Sequence, residues 1–302
     1  MSSRNGSIST RSDNKMPRYQ ISHRTSYEYS SPVIQSNHLL HLAPRAIESQ
    51  NVLRHNFMIE PAPAWQSNRV DYFGNPMTLI SVEEEHSKLS VNSFCEIEVL
   101  EVPKPDFKAS APWESVAGGR QTLPADIAQY VCASPYAAAT QQLFDFARGS
   151  FTDEAPLLEG ARRLMERINK EFRFDNTTTD VSTPVKQVLE QKSGVCQDFA
   201  HLMIAAMRSL GLPARYVSGY ILTHPPEGQV KLEGTDASHA WVSVWDPHAG
   251  WVDFDPTNNL VNSPEHITIA YGRDFDDVSP ISGVLLGGGQ HTVGVAVTVK
   301  PL

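Results

Sequence analysis

The chain has 302 residues, 40% of them hydrophobic and 20% charged, and a formal net charge of −9. At roughly 100–200 residues per domain, this length holds about two domains, each large enough to bury a core. An acidic chain has no general attraction for phosphate backbones, which argues against nucleic acid as a partner, and no apolar run reaches the roughly 18–20 residues that span a bilayer, which argues against a membrane partner.

The first fifteen residues, MSSRNGSISTRSDNK, are polar and contain no apolar signal segment. They read as a disordered tail over 1–16, and the expected location is the cytoplasm. Residues 17–110 read as a β domain. Tyr19–His23 opens a strand, Asp71-Tyr72-Phe73-Gly74-Asn75-Pro76 is a turn between extended runs, and Val91, Ser93, Cys95, Ile97 and Val99 share one face of an alternating strand. The proline-rich stretch Val102–Pro112 reads as a linker. A helical connector over 111–150 comes next, interrupted at Ser134-Pro135 because proline disfavours helix at the residue before it.

The remainder, 151–302, reads as a second domain. Apolar positions from Pro156 to Phe172 recur at helical spacing, and Thr183-Pro184 starts a short helix that runs to about Gln191. Cys196–Leu210 is a helix stopped by Gly211 and Pro213. Strands are expected at Arg215–Leu222, His239–Trp245, Trp251–Phe254 and around Thr292–Val299. Gly287-Gly288-Gly289 is a loop without the lysine of a phosphate-binding loop.

The three cysteines, Cys95, Cys132 and Cys196, are an odd number with no CxxC pair. A disulfide framework is not expected, and Cys95 and Cys132 read as structural. Cys196 differs because it opens a helix two residues after Gly194. Unpaired N–H groups at a helix start favour a thiolate and can hold an oxyanion. His239 starts a strand and Asp255 ends the next one, so an antiparallel hairpin sets them side by side, where the carboxylate can orient the imidazole. Alternation cannot separate Asp253 from Asp255, since the two share a face.

Three segments, GVCQDFAHLMIAAMRSLGLPARYVSGY, DASHAWVSVW and GWVDFDPTNN, resemble the transglutaminase-like core, and closely its bacterial branch. YQISHRTSYEYSSPV through VDYFGNPMTLISVEEEHSKLSV resembles the β domain that precedes that core. The resemblance implies an α+β fold: an N-terminal β domain, then a papain/transglutaminase-like core with a nucleophile-bearing helix packed on an antiparallel sheet. It also implies a Cys196, His239, Asp255 triad, since the family's aspartate precedes Pro-Thr. The family often has an aromatic residue upstream of the nucleophile that helps complete the oxyanion hole. Here those residues are Phe172 and Phe174, which have no donor, leaving Gln191 or backbone for that role.

Trp241 and Trp251 read as packing residues, Asp236 as either a neighbour of His239 or a solvated loop acid, and Arg273 as a partner of Asp274 or Asp277 rather than a substrate anchor. No cofactor or metal is expected, because no HExxH, paired-cysteine or calcium-loop pattern occurs, and no GxSxG marks a serine hydrolase. The expected activity is cysteine-dependent acyl transfer on a peptide, isopeptide or related amide bond of a protein or peptide substrate, through a thioester and ending in hydrolysis. Protein cross-linking and a silent binding module are the alternatives.

Overall fold

The structure is a computed structural model that describes residues 16–119, 122–179, 183–223, 234, 236 and 238–302. The tail expected over 1–16 lies, apart from Met16, outside the described residues. The first sheet is built from β1 (Arg18–Leu40), β2 (Gln50–Glu60), β3 (Trp65–Val70), β4 (Pro76–Val82) and β5 (His86–Val99), ordered β2-β5-β1-β4-β3. The alternation in β5 does what its pattern dictates: Val91, Ser93, Cys95, Ile97 and Val99 are all buried. Between β3 and β4, Asp71 Oδ1 accepts from the N–H groups of Phe73 and Asn75 at 2.8 and 2.7 Å, and Gly74 takes a φ of +77° that suits glycine.

The long β1 is the spine of this sheet. Its first half, Tyr19 to Glu28, runs beside β5 on one edge and β14 (His291–Pro301) on the other. Its second half, Ser36 to Leu40, lies between β4 and β13 (Ile281–Gly287). The chain therefore returns to the first sheet at its end, which corrects the expectation that 151–302 forms one core. The strand near Thr292–Val299 exists, but periodicity gives a strand and a buried face, not the identity of its partner. Val297 and Val299 point into the interior and are fully buried.

Three short helices, α1 (Trp113–Gly118), α2 (Ala125–Ala128) and α3 (Gln141–Arg148), form the connector, with the expected break at Ser134-Pro135. The core comes next, with α4 (Leu157–Glu171), β6 (Arg173–Phe174), α5 (Val185–Gln191), β7 (Ser193–Gly194) and α6 (Cys196–Ser209). Its sheet runs β11-β10-β9-β8-β12, made of β8 (Ala214–Ile221), β9 (Ser238–Asp246), β10 (Gly250–Asp255), β11 (Leu260–Val261) and β12 (His266–Gly272). α6 is buried from Asp198 to Arg208 and packs on β8 and β9, giving the expected helix on an antiparallel sheet. No helix among the described residues is long and apolar enough to cross a membrane.

The two sheets share a single apolar cluster, in which Tyr19, Ile21, Val297 and Val299 join Phe199, Leu202 and Phe254. Two side-chain amides seal the free edge of the core sheet. Gln50 Nε2 donates to Thr268 O and its Oε1 accepts from Thr268 N, both at 2.9 Å. Asn75 does the same at Tyr271, at 2.7 and 2.8 Å. Both amides are buried and act as two rungs of strand on β12, so its backbone is not left unpaired.

Candidate active site

Cys196 is placed by the short parallel ladder of β6 and β7, continued by Asp175 N donating to Gly194 O at 2.9 Å. Asp198, in the first turn of α6, accepts from Val195 N at 2.8 Å and from Thr179 Oγ1 at 2.7 Å. That closes the helix start as a cap does. A Cβ on Gly194 would lie 2.7 Å from Asp198 Oδ2, so the glycine is needed for this close approach. With the Val195 N–H engaged, the Cys196 N–H is the next one along, and as the first helical residue it has no intrahelical acceptor.

β9 brings His239 and β10 brings Asp255. His239 Nε2 donates to Asp255 Oδ2 at 2.8 Å, and Asp255 is fully buried. With Nε2 engaged, Nδ1 is the nitrogen left for Cys196, whose thiol lies near enough to act on the imidazole. Cys196 is partly exposed, so the sulfur can be approached from outside. Burial alone would lower the His239 pKa, but hydrogen bonds and charge from Asp255 and Cys196 outweigh it and push it up to about 10. Burial alone would raise the Asp255 pKa, but hydrogen bonds with His239 and His266 hold it well below the usual carboxylate range.

The two aspartates that alternation leaves equivalent separate clearly. Asp253 Oδ2 accepts from Trp241 Nε1 at 3.0 Å, and its own N–H donates to Asn262 Oδ1. Asp236 is not a solvated acid. It is buried, and its Oδ2 accepts from Val299 N at 2.9 Å, tying the segment before β9 to β14. Arg273 grips Asp277 through two nitrogens, each at 2.9 Å, the internal pair expected for it. Phe172 is buried and Phe174 exposed, while Gln191 ends α5 on the surface. Cys95 is buried as expected, but Cys132 is exposed.

His266 is a member of the site that sequence patterns do not reveal. Its Nε2 donates to Asp255 Oδ2 at 3.0 Å, so two imidazoles share one carboxylate oxygen. The ring stacks 4.5 Å from the Trp241 ring and lies nearly parallel to His239, at 5.8 Å and 10°. Asn258 adds its Nδ2 to Oδ2 at 2.8 Å, and the backbone N–H groups of Thr257 and Asn258 donate to Oδ1. Asn258 sits in the DPTNN run, but a lone histidine in the apolar run HITIAYG carries no chemical signature of its own. His239, Asp255 and His266 place three ligand-type atoms within 4.8 Å of one another. The carboxylate already accepts from five donors, so a cation would have to displace hydrogen bonds that are in place.

The profile of the transglutaminase-like superfamily matches residues 145–256, and that of the bacterial transglutaminase-like N-terminal region matches residues 19–98. An uncharacterized protein of Mycobacterium tuberculosis is 37% identical over 294 residues, covering 94% of this chain and 93% of its own. A protein-glutamine gamma-glutamyltransferase of Pseudomonas aeruginosa is 35% identical over 108 residues, covering 34% of this chain and 16% of its own length. Among solved structures, a cysteine protease candidate from Cytophaga hutchinsonii superposes with a TM-score of 0.74 at 20% identity, covering 95% of this chain and 91% of that one, which shows a common fold.

Proposed function

Because the chain belongs to the transglutaminase-like superfamily, we propose that it is a cysteine-dependent acyl-transfer enzyme in which Cys196 is the nucleophile, His239 the acid–base and Asp255 its orienting carboxylate. The observation that carries this reading is that three separate elements bring the α6 thiol, an imidazole and a fully buried carboxylate into one site, with the imidazole bonded to the carboxylate. The Cys196 sulfur attacks the carbonyl carbon of an amide and its proton passes to His239. The imidazolium then hands that proton to the departing amine, leaving a thioester on the sulfur. The Cys196 N–H at the start of α6 is the donor offered to the oxyanion.

The fate of the thioester separates a hydrolase from a cross-linking enzyme. We take hydrolysis as the reading, since water reaches any opened thioester, whereas transamidation needs a path that guides a lysine amine to it. Incubating the protein with a casein-type substrate, with and without a tagged primary amine, distinguishes the two. Release of fragments or ammonia without amine incorporation is expected, and incorporation of the tag as the main product would overturn hydrolysis. Cys196→Ala should abolish either activity while the protein stays folded, a loss of many orders of magnitude in rate. Retention of more than a small fraction of wild-type turnover would remove Cys196 from the mechanism.

A further inference from the structure

Between the first sheet and the core sheet lies a cavity of about 1030 Å³, walled by segments 45–49 and 99–104 on one side and by β8, β10 and β12 on the other. Neither Cys196 nor His239 lines it, while His266, which shares the Asp255 carboxylate, does. Its volume is at the upper end of that of pockets which enclose small molecules.

Arg215 on β8 faces this space. Its guanidinium is held between two aromatic rings, 4.0 Å from the centre of Trp251 and 3.6 Å from that of Tyr271. Stacking fixes the plane of the group but uses none of its N–H donors. Arg215 Nε is buried and has no hydrogen-bond partner. Asp253, whose charge Arg215 feels, spends Oδ2 on Trp241. Burial pulls the Arg215 pKa below its ordinary value, and the charge of Asp253 only partly offsets it.

The opposite wall offers no net negative charge to offset it, since Glu48 and Glu101 are matched there by Arg45 and Lys104. Arg45 is itself committed, donating to Phe73 O and Asn75 Oδ1. On the β12 side, His266 Nδ1 is a second buried atom without a partner. With Nε2 donating to Asp255, Nδ1 is an acceptor, which suits a hydroxyl of a bound ligand.

We propose that this cavity binds a small carboxylic acid, held by paired hydrogen bonds from the fixed guanidinium of Arg215. A planar carboxylate matches the donor fork of arginine and can accept from the donors that stacking leaves free. A hydroxy acid gains a further contact at His266.

Calorimetric titration of the full-length protein with malate and succinate, beside neutral succinamide and inorganic sulfate, tests the site. Saturable binding of malate or succinate with Kd of about 1 mM or tighter is expected, with malate the stronger and succinamide silent. Arg215→Gln should weaken it by about tenfold or more. Should that variant not fold, Ser49→Glu, which sets a carboxylate on the opposite wall, should weaken it comparably. No saturable carboxylate binding to the wild-type protein overturns the proposal, as does affinity unchanged in a folded variant. Sulfate binding of equal strength would make this a general anion site and overturn the assignment to carboxylic acids.

Discussion

At the scale of single residues, the site turns on what Asp255 does to His239. The carboxylate is the main reason that the imidazole holds its proton far above its ordinary pKa, against the effect of its own burial. Asp255→Asn removes that charge, so burial prevails and the imidazole loses its proton at lower pH. The alkaline limb of the activity profile, or of Cys196 alkylation, should move down in pH. Turnover should fall on the order of 10²–10⁴-fold, less completely than in Cys196→Ala. Asp253→Asn should leave turnover nearly intact, because Asp253 supports Trp241 rather than the imidazole. A crippled Asp253→Asn beside an active Asp255→Asn would reverse these roles.

The shifts also fix a pH window for stability. The lowered Asp255 pKa stabilises the fold above the unfolded carboxyl value of about 3.9, and that contribution is lost as pH falls below it. The raised His239 pKa contributes fully below its unfolded value of about 6.5, and that contribution is lost as pH rises towards about 10. The three cysteines give a separate chemical test. Cys196 has His239 to take its proton and is partly exposed, Cys132 is exposed with no histidine bonded to it among the described residues, and Cys95 is buried with its pKa pushed up to about 12. Iodoacetamide near neutral pH should label Cys196 first, Cys132 more slowly and Cys95 last. Mass mapping that finds Cys132 labelled first would contradict the assisted thiol.

At the scale of elements, β12 shows how the first sheet serves the site. This strand carries His266, it is the edge of the core sheet, and its backbone is completed by Gln50 and Asn75. Removing either amide strands two buried backbone groups. Gln50→Ala and Asn75→Ala should each lower stability by about 1–3 kcal/mol, read from chemical denaturation. A loss within about 0.5 kcal/mol for both would mean that water replaces them without cost. Sequence periodicity can give β12 a strand-like pattern but not these partners, since amides from positions 50 and 75 meet 268 and 271 only through tertiary structure. The helix bearing Cys196 is legible in the sequence to within a residue, because its apolar face, the glycine before it and the stop after it are all local signals. The hairpin of His239 and Asp255 is legible for the same reason. His266 is not, because a histidine becomes a partner of Asp255 only once β12 is laid beside β8.

At the scale of the whole molecule, the first sheet is assembled from both ends of the chain: Tyr19 stands opposite Pro301, and Tyr29 opposite His291. Truncation before Pro280 should therefore expose the inner edge of β1 and remove buried Val297 and Val299 from the shared cluster. Loss of cooperative unfolding, or of soluble protein altogether, is the expected result. A truncated protein that melts as sharply as the intact one would show the hairpin to be an accessory.

The same closure has a consequence for how the protein is made. A chain leaving the ribosome presents β1 long before β14, so the sheet that β1 starts cannot be completed until the core between them is out. Pairing over such sequence separation is slow, and the waiting strand edge invites other chains. While translation continues, β1 depends on β4 and β5 for cover, and the last hairpin serves as the latch that ends this vulnerable interval.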